Sequence, residues 1–452
     1  MKETFDLCVV GAGPGGVEAA MRAAARGLRT VLVEACSAGG VCLGAGCIPL
    51  KTLLASAGHF AGLRRSAMFG VRIPEGACVD WPAMQARKED VVRRLRAGLE
   101  GRLDGCGVTR VRGRGVLVSP TRVRVEAEGT EPVELEARSI LLATGSSPAF
   151  PPNVGPGRRV VDASAAMDVA ELPRRVVVAG GGAAGCELAT LFSELGVATT
   201  LVEASRRLLS GLDADLGRFA AKVLSRDVRI VLGKGIDSAE ERADGVRVQC
   251  GGQCLEADLL VVATGRRPNS DGLGLEALGI RPDGRGAVPV DAAFRTSVPS
   301  VLAVGDLAGK RFLAHAAAAE AAAAVDGLTG RAAEVRADLV PSCVFTNPEI
   351  ASVGLSEEDC RTRGVACRVF RTFARATGFC WAAGETEGFA KIVADRETDR
   401  ILGVHVAGQR SAELMGEAAL AISCKLSAEA FLRMVRPHPT FSEVLSAAVP
   451  SL

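Results

Sequence analysis

One pattern occurs twice in this 452-residue chain, about 170 residues apart: strand, glycine-rich turn, helix, strand, carboxylate. The first copy runs Asp6-Leu7-Cys8-Val9-Val10, then Gly11-Ala12-Gly13-Pro14-Gly15-Gly16, a helix over about residues 15–26, and Thr30-Val31-Leu32-Val33 closing on Glu34. The second runs Arg175-Val176-Val177-Val178-Ala179, then Gly180-Gly181-Gly182-Ala183-Ala184-Gly185, a helix through Leu195, and Thr199-Thr200-Leu201-Val202 closing on Glu203. Both place G-x-G-x-x-G in the strand–turn–helix setting of a Rossmann unit. The first glycine permits the tight turn, the second lets backbone approach a pyrophosphate, and the third lets helix and strand pack closely. The pyrophosphate then lies at the helix N-terminus, and the terminal carboxylate accepts hydrogen bonds from ribose hydroxyls. A single copy is weak. Two in full context imply an α/β fold with two Rossmann-like dinucleotide-binding domains.

Each unit is followed by an apolar strand closing on one tripeptide: Ile140-Leu141-Leu142-Ala143-Thr144-Gly145 and Leu259-Leu260-Val261-Val262-Ala263-Thr264-Gly265. From about residue 270 the chain is expected to return to the first domain, where Thr296-Ser297-Val298-Pro299-Ser300-Val301-Leu302-Ala303-Val304-Gly305-Asp306 reads as a strand ending in an exposed acid. From about Asp338 the pattern changes. Strand-like Phe389–Val393 and Ile401–Val406 precede a helix over about Ser411–Cys424, which reads as a third, α+β domain. The expected division is 1–148 with 270–335, then 149–269, then 336–452.

Composition narrows the partners. At 48% hydrophobic and 23% charged, the chain can bury two or three cores. A net charge of +2 indicates no nucleic-acid partner, and 4% aromatics with no tyrosine argue against base-stacking surfaces. Met1-Lys2-Glu3-Thr4-Phe5-Asp6 leads directly into a strand, so no signal peptide is expected. The alanine-rich stretch His315–Leu328 contains Glu320 and Asp326 and reads as a buried helix, so no membrane span is expected. Scattered cysteines in a long chain fit a reducing, cytoplasmic setting.

Fourteen cysteines are present, but only Cys42 and Cys47 follow directly on a dinucleotide signature, within Gly39-Gly40-Val41-Cys42-Leu43-Gly44-Ala45-Gly46-Cys47-Ile48-Pro49-Leu50-Lys51. A nucleotide fold delivering a two-electron carrier onto a cysteine pair implies a flavin-linked disulfide oxidoreductase. Five residues on a straight helix rise about 7.5 Å, whereas a disulfide wants Cα atoms roughly 4.4–6.8 Å apart. A bond here would therefore need a broken helix. Gly44 and Gly46 permit the break, and Pro49 suits the first turn of a new helix. A thiolate near that N-terminus would gain from its free N–H groups. Two buried thiols or half of a metal site are the alternatives. No second ligand pair at zinc spacing exists, and no metal is expected.

Taken in order, these motifs resemble the class I pyridine nucleotide–disulfide oxidoreductases over essentially the whole chain. The resemblance implies an FAD domain, an inserted NAD(P) domain and a C-terminal dimerisation domain. It implies that Gly11, Gly13 and Gly16 hold the FAD pyrophosphate and Glu34 the adenosine ribose. Cys42 and Cys47 would be the redox disulfide, with Cys42 exchanging with substrate and Cys47 facing the flavin. Lys51 and Glu187 match a pair near the flavin N5. Asp306 matches a contact to the ribityl or pyrophosphate region, Ala314 a flavin contact, and Gly115 a backbone contact to the adenine side. Thr144 and Gly145 belong with the FAD set. Gly180, Gly182, Gly185, Glu203 and Gly265 belong with the nicotinamide nucleotide. Arg436-Pro437-His438-Pro439-Thr440-Phe441-Ser442-Glu443 looks like the family's His-x-His-Pro-Thr-x-x-Glu. His438 would be the acid/base, Glu443 would orient it, and the histidine would act on the disulfide of a second subunit in a homodimer. His59, His315 and His405 read as structural.

Glu203 favours the free 2′-hydroxyl of NAD over a 2′-phosphate, although Arg206 and Arg207 follow it. The chain ends Ala447-Ala448-Val449-Pro450-Ser451-Leu452, without the vicinal cysteines of mercuric reductases. The resemblance thus points to oxidation of a dihydrolipoyl group, on a lipoylated carrier or a small dithiol, with NAD⁺. The rival readings are reduction of another disulfide by NAD(P)H, a diaphorase, and a non-catalytic flavoprotein subunit. Several positions depart from the family: Val41 for Thr, Gly44-Ala45 for Asn-Val, Leu50 for Ser, Phe345 for Tyr and Arg436 for His.

Overall fold

The computed structural model describes residues 4–73, 76–331 and 335–450. The terminal residues Met1–Glu3 and Ser451–Leu452, on which the leader and C-terminal expectations partly rest, lie outside these. The chain forms two compact units: Met1–Thr52, Pro82–Ala149 and Gly265–Val335 make one, and Leu53–Trp81, Phe150–Thr264 and Arg336–Leu452 the other.

The first unit is built on one sheet. Strands β1 (Thr4–Val10) and β2 (Thr30–Glu34) lie parallel, flanked by Thr109–Arg112 beside β2 and Val133–Leu142 beside β1. Val301–Ala303 adds a further parallel strand, and Arg122–Glu126 and Arg114–Ser119 continue the sheet antiparallel. Alternation along β1 sends Leu7 and Val9 to one core and Cys8 and Val10 to the other. Both faces are covered, as a parallel sheet requires. Helix α1 (Pro14–Ala25) packs against the alanine-rich helix Ala314–Leu328, close enough that a Cβ on Gly15 would lie 3.2 Å from the Ala317 carbonyl oxygen. Arg22 and Arg26 pin the pair by reaching Asp326. After β2 come two helices separated by a break, α2 (Gly40–Gly44) and α3 (Cys47–Leu63).

In the second unit, β3 (Arg175–Ala179), α4 (Ala183–Glu194) and β4 (Ala198–Glu203) repeat the first motif. The parallel order is Val228–Leu232, β4, β3, Leu259–Val262, Val160–Asp162. The same unit contains a six-stranded antiparallel sheet from Ser342–Val344 to Val449–Pro450, backed by a short 3-10 turn at Ser411–Leu414 and the helix Met415–Ser423. Buried Lys391 in that sheet reaches Asp213 and Asp215 at 2.8 Å each and also pairs with Glu357.

Candidate active site

The two glycine turns have the same construction. Gly11 (φ 102°) and Gly180 (φ 110°) sit where any Cβ would strike the neighbouring strand, 2.4 Å from Ala143 O and 2.3 Å from Ala263 O. A Cβ on Gly16 or Gly185 would come within 1.7 Å of the Gly11 or Gly180 carbonyl oxygen. At Gly13 and Gly182, by contrast, an added Cβ meets nothing within 4 Å. The outer two glycines thus close the turn, and the middle one faces open space at a helix N-terminus, where free N–H groups suit a pyrophosphate.

The closing carboxylates are bound into the turns. Glu34 accepts from Ala12 N–H at 2.6 Å and Cys36 N–H at 2.8 Å. Glu203 accepts from Gly181 N–H at 2.5 Å and Ser205 N–H at 2.6 Å. Burial works against the Glu203 charge, but the Ser205 hydroxyl and these N–H donors outweigh it and hold the carboxyl below its ordinary value.

In the first unit a cleft of ≈ 520 Å³ opens beside this turn, lined by Gly11, Glu34, Gly115 and Thr144 among others. A side chain at 115 would press on Val10, its Cβ 2.8 Å from a Val10 methyl, so glycine keeps the cleft wall flat. Thr144 Oγ donates to Asn269 O at 2.8 Å, while Asn269 returns its amide to Thr144 O at 3.0 Å and its N–H to Gly145 O at 3.0 Å. Asp306 accepts from Ser146 Oγ at 2.5 Å, and Arg266 Nε donates to the same hydroxyl at 2.7 Å. Burial lifts the Asp306 carboxyl above its ordinary value, which Ser146 and Arg266 only partly offset. Ala314 opens its helix. In size and donor set, cleft and turn fit an adenine dinucleotide.

The cysteine segment is fastened to this turn. Gly39 N–H donates to Ala12 O at 2.8 Å, and Gly40 packs so that a Cβ would lie 2.7 Å from Gly13 Cα. Cys42 lies in α2 and Cys47 opens α3, with the helix broken between them as the glycines permit. The two stand as thiols in hydrogen-bond contact. That contact, burial and the Cys47 charge raise Cys42 well above an ordinary thiol, and the Lys51 ammonium opposes this.

In the second unit His438 is 76% exposed, and its Nδ1 meets Glu443 Oε1 at 2.7 Å. Glu443 also accepts from Thr440 N–H at 2.9 Å, and the two bonds hold its carboxyl below the usual range. Glu187 is buried on α4 and accepts from Phe345 N–H at 2.9 Å. His405 is buried between Ser352 Oγ and Leu355 O, and desolvation lowers it. Arg436 is buried too, donating to Ser446 Oγ at 2.7 Å, pairing with Glu417 and stacking over Phe431. It braces the segment that carries His438.

Sequence reading missed Arg96. Its Nη2 lies 3.1 Å from where a Gly44 Cβ would be, and its buried Nε has no hydrogen-bond partner among the described residues. The Gly44 departure was the available signal, because the space it opens is taken by this guanidinium. Ser146 and Arg266 were missed as well, since nothing local in sequence links them to Asp306.

Two family profiles match: pyridine nucleotide-disulphide oxidoreductase over residues 5–322, and the dimerisation domain of the same family over 340–449. The chain is 40% identical over 448 residues to the dihydrolipoyl dehydrogenase of Chlamydia muridarum, covering 98% of this chain and 96% of that one. It is 36% identical over 448 residues to that of Geobacillus stearothermophilus, covering 98% and 95%. Among solved structures it is similar to LpdA from Mycobacterium tuberculosis, with a TM-score of 0.92, 28% identity and 98% coverage of each chain. The HOCl-induced flavoprotein disulfide reductase RclA from Escherichia coli follows, with a TM-score of 0.86, 26% identity and coverage of 98% and 99%.

Proposed function

Since the chain belongs to the pyridine nucleotide-disulphide oxidoreductases, we propose that its Cys42–Cys47 pair oxidises a protein-bound dihydrolipoyl group and that NAD⁺ receives the electrons. The chain is a dihydrolipoyl dehydrogenase-like flavoprotein disulfide oxidoreductase, and this family uses FAD and NAD(H). The observation that carries the reading is the direct fastening of the cysteine helix to the first nucleotide turn, Gly39 on Ala12 and Gly40 against Gly13. That contact gives electrons a short path from sulfur to a dinucleotide bound on the turn.

In this reading residues 1–148 and 270–335 bind FAD, 149–269 bind NAD and 336–452 meet a second copy in a cytoplasmic homodimer. Gly11, Gly13 and Gly16 cradle the FAD pyrophosphate, with Glu34, Gly115, Thr144, Gly145, Asp306 and Ala314 along the cofactor. Gly180, Gly182, Gly185, Glu203 and Gly265 serve the NAD in the same way, and Lys51 follows Cys47 on α3. Bound FAD supplies the two-electron relay between dithiol and nicotinamide. His438 from the second copy removes a proton from the substrate dithiol, and Glu443 holds its Nδ1 so that Nε2 does this work. The substrate thiolate attacks Cys42 Sγ, the Cys42–Cys47 bond breaks and Cys47 leaves as thiolate. The second substrate thiol gives up its proton and attacks the first substrate sulfur, forming the lipoyl S–S bond and releasing Cys42, which takes up that proton. The net reaction is dihydrolipoyl + NAD⁺ → lipoyl + NADH + H⁺.

Anaerobic titration of the holoenzyme with dihydrolipoamide, followed across the visible spectrum, tests this. The expected result is a long-wavelength band after two-electron reduction and NADH formation once NAD⁺ is added. A band produced by NADH but not by dihydrolipoamide would replace the lipoyl substrate with another disulfide. No band with either reductant would remove the cysteine pair from the reaction.

A further inference from the structure

The helix–turn–strand over residues 357–373 holds a second cysteine pair that the proposed reaction does not use. Cys360 is the buried residue of the short helix Glu357–Thr362, and half-buried Cys367 opens the strand Cys367–Phe373. The chain turns back at Gly364 (φ 66°), where Val365 N–H donates to Cys360 O at 2.9 Å. That return places Cys367 close enough to Cys360 for each thiol to feel the other's charge. The helix around them is held at its start by the Ser356–Asp359 capping box, by Glu358 to Arg207 at 2.8 Å and by Glu357 to Arg371 at 2.9 Å. Arg371 lies on the strand that Cys367 opens. Helix and strand are thus fixed on both sides of the thiols.

We propose that Cys360 and Cys367 are an oxidisable dithiol, a site of disulfide modification separate from Cys42–Cys47, whose oxidant is a small disulfide such as oxidised glutathione. Cys367, the accessible partner, gives its proton to solvent and attacks one sulfur of the small disulfide. The Cys367–S–S–R bond forms and one RS⁻ leaves. Cys360 then loses its proton to solvent and attacks Cys367 Sγ, forming the Cys360–Cys367 bond and releasing the second RS⁻. Two cysteines are oxidised and one small disulfide is reduced to two thiols. Burial and the Cys367 charge push the Cys360 thiol up to about 12, which suits it to the resolving step and not to the first attack. The closed loop would tie the short helix, with its Arg207 and Arg371 contacts, to the strand.

The test is to treat the purified holoenzyme with oxidised glutathione, block remaining thiols, and map tryptic peptides without reduction. Cleavage after Arg361, Arg363 and Arg368 separates the two cysteines, so a linked pair of peptides reports the bond. The expected result is that linked pair in the wild type and in Cys42→Ser, with Cys360→Ala instead carrying glutathione on Cys367. A glutathione adduct persisting on Cys367 in the wild type, or both thiols remaining blockable after Cys42–Cys47 has oxidised, would overturn the proposal.

Discussion

Position for position, the first nucleotide unit and the second repeat the same glycine contacts and the same carboxylate bonds, yet their helices face different surroundings. Glu18 on α1 is partly exposed and lies 3.6 Å from Arg22, an ordinary surface pair. Glu187, at the same place in α4, is 4% exposed and holds the Phe345 N–H. Beyond the carboxylate, Cys36 offers Glu34 only its backbone, whereas Ser205 offers Glu203 a hydroxyl as well. The cysteine pair follows one copy and arginines follow the other. The shared residues thus specify a dinucleotide cradle, and the unshared ones specify what that cradle is joined to.

The largest test of the shared part is Gly16→Ala against Gly185→Ala. Each Cβ would lie 1.7 Å from a backbone oxygen, so the turn must open, at a cost of roughly 3 kcal/mol or more. Gly16→Ala should purify without flavin absorbance. Gly185→Ala should keep its flavin and lose NADH oxidation at least tenfold. Gly13→Ala and Gly182→Ala put the methyl in open space and should fold at wild-type temperature while losing the same ligands. If all four lost stability equally, the division between turn-closing and ligand-facing glycines would fail.

The unshared part is tested by Glu187→Ala against Glu18→Ala. Removing Glu187 leaves the Phe345 N–H without this acceptor, a loss of about 1–3 kcal/mol. Removing Glu18 should cost at most about 0.5 kcal/mol. Thermal unfolding of both variants decides it, and equal Tm values would mean the two environments are energetically alike.

A smaller effect is expected at the nucleotide choice. Glu203→Ala removes the acceptor for a ribose 2′-hydroxyl, and should weaken NADH about tenfold while leaving NADPH unchanged or improved. Arg207 is committed to Glu358 and to the Ser210 and Leu212 carbonyls, so Arg206 is the better placed of the two for a 2′-phosphate. An unaltered NADH-to-NADPH ratio in steady-state kinetics would remove Glu203 from the choice.

Much of this was legible because the governing constraints are local. A strand, a G-x-G-x-x-G turn and a terminal acid carry their own hydrogen bonds within about 25 residues, and the break between Cys42 and Cys47 follows from glycine placement and disulfide reach. What stayed hidden depends on residues far apart in the chain. Asp306 is held by Ser146, 160 positions away. Arg96 reaches Gly44 from another helix. Lys391 draws in Asp213 and Asp215 from more than 170 positions off. None of these has a spacing signature. The Arg436 departure read as a lost histidine, whereas burial against Phe431 and Glu417 makes it a brace.

The smallest expected difference between the units is their response to acid. Asp326 in the first and Asp215 in the second are both lowered to about 2, for different reasons. For Asp326 the leading cause is the hydrogen bond from Arg22, with burial opposing and Arg26 assisting. For Asp215 burial is the largest influence and raises the value, and Lys391, Arg218 and Arg371 together overcome it. A carboxylate depressed in the folded state stabilises fully above its ordinary value of 3.8 and loses that stabilisation as pH falls toward about 2. Asp326→Asn and Asp215→Asn should therefore each lie roughly 1–2 °C below wild type at pH 6. Both gaps should close between about pH 4 and pH 2. The Asp215 gap should respond less to added salt, because Lys391 is only 2% exposed while Arg22 is 32% exposed. Gaps unchanged by pH would show that shape, not charge, is what the two aspartates contribute.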